Sequence, residues 1–494
     1  MFLLSTFEIK SFLVRDPIYD FIEIPEEFKP IVDHKLVQRL RWINQLPLEQ
    51  LVYPSAQHSR FEHSLGVMYL AMLAANSLIN NSSKQLNDAF NQDDNYKKFG
   101  DKKRKKFFIL AAGLAGLLHD VGHAPFSHTL EHACEHANIN YRYNHEEIGY
   151  LLTEKLFEDT GIINEPYSKT TINALNKKLN TLHRDITPID KIIRELIDGP
   201  IDVDKGDYTI RDSYHCGTPY GIYDIQRLWR NIVINPEDYT IAVNEKGALE
   251  AWALTLQRYR MYKNVYLHHV RNITDAMLID IIVSTIEKVK RRKNKLELIP
   301  AWNSANEISN ENNLTKFIFW TDNGMLKVIA EINASAITRI ESFLKRDIFK
   351  RGKVINLQGY PKALEVAASK NKNEKFILLD KLRELKKKML KEKSIQFDFL
   401  IEREMIPPVF DKKVQEDIRV NIKDKKYVSL AEYLNFSLQN SDIKKKKVTN
   451  DTEEDIYPSV NYNLHLFIKK SNKNKINYIS EEVKKLLTDF NTIA

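Results

Sequence analysis

Apolar and polar positions alternate along the first thirty residues, as Phe12-Leu13-Val14, Asp16-Pro17-Ile18-Tyr19-Asp20 and Phe21-Ile22-Glu23-Ile24. A period of two broken by a proline turn predicts two short strands, a β-hairpin over residues 1–30. From His34 to about Gly161 the apolar residues recur at helical spacing, with a polar segment at 80–106 that reads as a flexible insertion. Helical patterning returns over 187–229 and 248–293. It pauses in a polar, asparagine-rich stretch at 295–315 that predicts a loop, and resumes to about residue 349. Beyond residue 350, short strands such as 397–401 and 464–468 are mixed with lysine-rich helices and closed by 480–490. The pattern predicts a mainly α fold: the hairpin, a helical core over 31–349, and a smaller α+β lobe over 350–494.

A chain of 494 residues can bury a large core and divide into two or three units. Its longest apolar stretch, 107–118, is too short to span a bilayer and runs straight into His119 and Asp120, so it reads as a buried helix, with no membrane association expected. The opening Met-Phe-Leu-Leu-Ser-Thr has no basic flank, which argues against a secretory signal and for a cytoplasmic location. Cys134 and Cys216 are too few for a disulfide framework or a cysteine zinc site. The net charge of +8 lies largely in Lys/Arg runs at 102–106, 288–295, 386–393 and 444–447. These read as solvated faces; docking of nucleic acid is the less favoured reading, because no recognition motif accompanies them.

The chemistry concentrates in Leu117-Leu118-His119-Asp120-Val121-Gly122-His123-Ala124-Pro125-Phe126-Ser127-His128. An adjacent imidazole and carboxylate can reach one ion, and together they suit a divalent cation that activates water. Upstream, Arg60-Phe61-Glu62-His63 puts Arg60 and His63 on one helix face. Downstream, Asp202-Val203-Asp204-Lys205-Gly206-Asp207-Tyr208 supplies carboxylates at a helix start. Six of the fourteen histidines fall between His119 and His145, and separate segments offer His63 and Asp204, which points to His63, His119, Asp120 and Asp204 as a metal set. Manganese, iron, nickel, zinc or magnesium would fit such donors. His132 and His136, at i+4 spacing from His128, read as a polar helix face.

This pattern resembles the HD superfamily of metal-dependent phosphohydrolases. Asp16-Pro17-Ile18, Gln38-Arg39-Leu40-Arg41, residues 60–67, the 118–128 run, residues 202–208 with Arg211-Asp212, and residues 262–269 narrow the resemblance to deoxynucleoside triphosphate triphosphohydrolases. That branch includes the vertebrate sterile-alpha-motif HD enzyme, and the likeness covers about the first 280 residues. It implies a helical HD core and hydrolysis at the α-phosphorus, releasing deoxynucleoside and intact triphosphate. It further implies that His128 or His145 lies near the leaving oxygen, with Glu131 orienting the histidine partner and His123 touching phosphate; His128 is the favoured general acid. Arg60, Lys205 and Arg258 match phosphate-contacting positions; Gln45, Leu46, Tyr208, Asp212 and Tyr266 match those around the sugar. Tyr262 and Leu267 stand where the vertebrate enzyme has histidine and glutamine, and Glu131 stands for an aspartate. The resemblance also implies a homo-oligomer, dimer or tetramer, activated by GTP or dGTP at Asp33, Gln38 and Arg41, although Phe12 and Arg15 depart from the family's residues there.

Two other classes share these residues. A different HD phosphoesterase, such as a nucleotidase, cyclic-nucleotide phosphodiesterase or nuclease, would use the same ion. A nucleotide-sensing or nucleic-acid-binding protein could use the HD core as a scaffold, but all four metal residues are intact here, which favours catalysis.

Overall fold

The structure is a computed structural model that describes residues 4–137, 143–176, 186–290, 298–369, 372–403, 416–422, 426–434 and 462–492. The hairpin forms as its alternation predicts: β1 (Ser11–Asp16) pairs antiparallel with β2 (Asp20–Pro25), Ser11 opposite Pro25 and Asp16 opposite Asp20.

The body is a stack of helices. Among them are α1 (Arg60–Asn81), α2 (Asp101–Leu118), α3 (His128–His136), α4 (His145–Asp159) and α5 (Pro166–Leu175). They are followed by α6 (Pro188–Asp198), α7 (Val203–His215), α8 (Ala248–Met261) and α9 (His269–Val289). Their starts are written in the sequence. Ser59 and Glu62 form a reciprocal capping box at α1, and the Asn144 side chain accepts from the amides of Glu146 and Glu147 at α4. Asp202 accepts from the Lys205 amide at α7. The apolar run of α2 is buried from Phe107 through Leu118. No helix among the described residues is long and apolar enough to cross a membrane.

The C-terminal part holds β5 (Lys350–Asn356), α10 (Lys372–Lys393), β6 (Phe397–Arg403), β9 (Tyr462–Ile468) and α11 (Ile476–Thr492), with strands ordered β5-β9-β6, all antiparallel. Here Leu378, Leu382, Phe397, Leu464, Leu466, Val483 and Leu487 form a second core beside the large one. The division is not clean. β7 (Arg419–Ile422) crosses back to pair in parallel with β4 (Ile241–Asn244), which also pairs with β3 (Ile232–Ile234), while β8 (Lys426–Ser429) pairs with β7.

Four local expectations change. Residues 80–106 are not a flexible insertion: Ser83–Asn91 is a helix whose Leu86, Ala89 and Phe90 are buried at i, i+3 and i+4, an apolar stripe masked by its polar neighbours. The asparagine-rich stretch gives way to helix at Glu311–Phe319, where Asn310 is a cap, accepting from the Asn312 amide. β3 and β4 are too short for their alternation to register. Lys386 is no solvated charge but is paired with Asp280 at 2.7 Å and Asp398 at 3.1 Å. The run at 444–447 lies outside the described residues.

Candidate metal and catalytic centre

Three segments meet at the predicted metal set. α1 carries His63, the turn that ends α2 carries His119 and Asp120, and the first turn of α7 carries Asp204. Donor atoms of His63, His119 and Asp204 lie within 4.8 Å of one another. Asp204 Oδ1 is 3.0 Å from His63 Nε2 and 3.5 Å from His119 Nε2; Asp120 approaches His119 Nε2 at 3.3 Å and His63 Nε2 at 3.8 Å. Both Nε2 atoms are buried without a hydrogen-bond partner. Two buried imidazole nitrogens aimed at two carboxylates fit a divalent cation. Burial alone would depress the His63 pKa, but Asp204 and Asp207 raise it to about 10. Burial likewise opposes ionisation of Asp204, yet the two histidines hold it well below the usual carboxylate range.

The other ring nitrogens are fixed from behind. His119 Nδ1 is 2.8 Å from the Gly116 carbonyl, and His63 Nδ1 is 2.8 Å from Asp207 Oδ2. Asp207 in turn accepts from Arg211 Nε at 2.8 Å and from the Tyr19 hydroxyl at 2.8 Å, and Arg211 reaches Asp16 at 2.8 Å. Gly66 permits this approach, since a Cβ there would sit 1.9 Å from Asp207 Oδ1.

A histidine cluster stands beside the metal set. Glu131 Oε2 is 2.9 Å from His128 Nδ1 and its Oε1 is 2.6 Å from His145 Nδ1, so one carboxylate orients both rings. Against the cost of burial, these bonds hold Glu131 well below the usual carboxylate range, and Glu131 raises the pKa of His145. The glutamate in place of an aspartate thus reaches both partners. His123 stacks on His145 at 3.9 Å between centroids and lies 3.2 Å from Asp120. Burial, with Arg60 and His145 nearby, pushes its pKa well down, favouring the neutral ring. Gly122 lets α4 pack here, because a Cβ would meet the His145 carbonyl at 2.1 Å. Between His123 and α3 the backbone is strained, with φ of 55° at Phe126 and 48° at Ser127. The turn is clamped by Asp322, which accepts the Phe126 amide at 2.8 Å and the Asn44 amide at 2.9 Å. Arg60 anchors it through Ser127 Oγ at 2.9 Å and also pairs with Asp120.

The cluster opens into one chamber lined by the metal set, Arg60, His123, His128, His145 and Tyr208. Next to it lies a cavity of about 480 Å³ that shares Gln45, Arg60, His128 and Tyr208, and adds Leu46, Asp212 and Tyr266. The Tyr266 hydroxyl donates to Asp212 at 2.6 Å, and Arg258 donates to the Tyr208 hydroxyl at 2.6 Å. Lys205 turns away, to the Gly199 carbonyl at 2.7 Å and to Asp202. Asp33, Gln38 and Arg41 lie apart from both cavities: Asp33 pairs with Lys29 at 3.1 Å, Gln38 accepts from Arg41 at 2.8 Å, and Arg41 covers the Phe61 ring. His132 and His136 both line the larger cavity, and His136 is buried, so they are more than a solvated face. Reading the sequence missed Asp207, Ser127 and Asp322, none of which stands out from its neighbours along the chain.

Residues 60–198 match the HD domain family, and residues 223–318 match the HD associated region. An uncharacterized protein of Methanocaldococcus jannaschii is 33% identical over 278 residues, 56% of this chain and 50% of that one. The deoxynucleoside triphosphate triphosphohydrolase SAMHD1 of Homo sapiens is 28% identical over 290 residues, 54% of this chain and 44% of that one. The SAMHD1 homolog of Dictyostelium discoideum is 29% identical over 276 residues, 55% and 48%. The chain spans about half the length of these relatives. A phosphohydrolase from Bacteroides thetaiotaomicron shares the fold, with a TM-score of 0.63 at 23% identity over 93% of this chain and 100% of that one.

Proposed function

From the match of residues 60–198 to the HD domain family, we propose that the chain hydrolyses deoxynucleoside triphosphates to deoxynucleoside and triphosphate. The observation that carries the reading is the pair of joined chambers: a cluster of metal-ligand type sharing Arg60, Gln45, His128 and Tyr208 with a cavity in the size range of small-molecule sites, roughly 300–1,000 Å³. The triphosphohydrolase names of the human and Dictyostelium relatives support the same substrate.

A divalent cation bound by His63, His119, Asp120 and Asp204 would polarise a phosphate oxygen and acidify a bound water. The chain's own groups do the rest. Arg60 and the neutral His123 bind α-phosphate oxygens, while Lys205 must leave Asp202, and Arg258 the Tyr208 hydroxyl, before either reaches the outer phosphates. Water oxygen bonds to the α-phosphorus and sheds one proton to solvent as the bond to the 5′ oxygen breaks, and His128, held by Glu131, gives the 5′ oxygen its proton. His145 shares the same carboxylate and takes up charge as the proton moves. Gln45, Leu46, Tyr208, Asp212 and Tyr266 surround the sugar, and Leu46 with a neighbouring tyrosine against the 2′ carbon excludes a hydroxyl. The surface carrying Asp33, Gln38 and Arg41 receives GTP or dGTP, in a dimer or tetramer.

The test is incubation with each deoxynucleoside triphosphate and manganese, with and without GTP or dGTP, with products resolved by chromatography and a His119→Ala, Asp120→Ala variant as blank. Deoxynucleoside and intact triphosphate, absent with the variant, are expected. Release of a nucleoside monophosphate or of orthophosphate instead would transfer the chain to another HD phosphoesterase class. Unchanged mass and rate on adding GTP and dGTP would remove the activator site.

A further inference from the structure

The larger cavity does not end in the HD body. α3 runs along it, from His128 beside the metal set to His132 and His136, and successive histidines are about 6 Å apart at 1.5 Å per residue. Past His132 the wall changes owner: Leu400, Ile401 and Glu402 of β6 and Tyr462 of β9 close the cavity. The two matched family segments end at residue 318, so this wall belongs to neither. Most of it is apolar or aromatic, which suits the face of a flat ring.

Lys375 and Arg403 add cations to this wall, and Glu402 adds a carboxylate. Its side chain is only 15% exposed, yet it lines the cavity. Its Oε2 accepts from Asn272 Nδ2 at 2.7 Å and lies 3.5 Å from His465 Nε2, while Oε1 has no partner among the described residues. Arg271, which also lines the cavity, is occupied by Asp275 at 2.7 Å. A carboxyl oxygen that faces a cavity without a partner is an acceptor that a ligand donor can meet.

A nucleotide with its α-phosphate at the metal set and its sugar against Tyr208 and Tyr266 extends its base toward this wall. We propose that Glu402 reads the nucleobase, its carboxylate accepting a hydrogen bond from an exocyclic amino group, so that cytosine and adenine nucleotides are favoured over thymine nucleotides. The inference rests on the deoxynucleotide reading of the site and adds to it a selectivity that the metal set does not determine. Thymine carries the carbonyl oxygen O4 where cytosine carries its N4 amine, and a carboxylate facing a carbonyl leaves both unpaired.

Burial raises the Glu402 pKa to about 7, so the experiment compares kcat/KM for dCTP and dTTP at about pH 8.5, where the carboxylate is ionised, in the wild type, Glu402→Gln and Glu402→Asp. The wild type is expected to favour dCTP about tenfold or more, the worth of one matched hydrogen bond in a dry site. Glu402→Gln keeps the Asn272 contact and gains a donor, so the ratio falls about tenfold or reverses. Glu402→Asp keeps the charge but withdraws it by one methylene, weakening dCTP without admitting dTTP. Equal wild-type rates, or variants that slow both nucleotides by one factor, overturn the base-reading role and leave Glu402 a structural tie to Asn272. Equilibrium dialysis of the same two nucleotides in calcium separates this from the hydrolysis reading. A retention ratio that shifts in Glu402→Gln without triphosphate release upholds base reading while hydrolysis falls; an unchanged ratio or no retention overturns base reading.

Discussion

A histidine that ligates a cation through one nitrogen needs the other held, or the ring turns and the tautomer drifts. Asp207 does this for His63 at 2.8 Å and is itself pinned by Arg211 and Tyr19. Replacing Asp207 by Asn removes the charge that favours a proton on Nδ1, and metal affinity should fall about 10- to 100-fold, the range for such outer partners. Metal titration read by elemental analysis checks it, with a melting curve to separate loss of binding from loss of fold; unchanged affinity would refute the role. Why Asp207 was hidden while Asp204 was not is a matter of context. His119 and Asp120 are adjacent, so their joint reach is visible in the sequence, and Asp204 sits in a matched motif. Asp207 looks like one more carboxylate of the same run, and its partners are 144 and 188 residues away. Glu402 was illegible for the same reason: nothing local joins β6 to a cavity begun at Gln45.

Elements show a similar division. Helices with caps and long apolar faces were readable, as α1 and α2 were, whereas the helix Ser83–Asn91 was lost among polar residues and β3 and β4 were too brief to see. The start of α6 carries its own pH response. Thr187 and Asp190 form a capping box, but Asp190 is buried near Asp93, and its Oδ1 lacks a partner. Burial and the neighbouring charge raise its pKa to about 7, against about 3.9 in an unfolded chain. A carboxyl with a raised folded pKa supports the fold fully below about pH 4 and loses that support as pH rises to 7. Asp190→Asn removes the cost of ionisation, so it should melt higher than the wild type at pH 8, by the equivalent of about 1–3 kcal/mol, and match it near pH 4. Parallel melting curves at both pH values would refute this.

For the whole molecule, the metal set joins segments that are far apart in the chain: His63, His119 with Asp120, and Asp204. A cation bound only by the folded chain stabilises it by about 3–4 kcal/mol at 100 to 1,000 times its dissociation constant. Prolonged chelation followed by gel filtration should therefore lower the melting temperature by several degrees, and added manganese should restore it. A calorimetric scan unaffected by either step would mean that the four side chains hold together unaided.

Residues 60–208 hold the chemistry, while residues 400–402 and 462 complete the cavity from another stretch of the same chain. Mutation of that wall can therefore change what the cavity admits without touching the metal set. The donor set is bound by metal geometry, and the wall carries no such constraint, so one core can serve chambers of different shape.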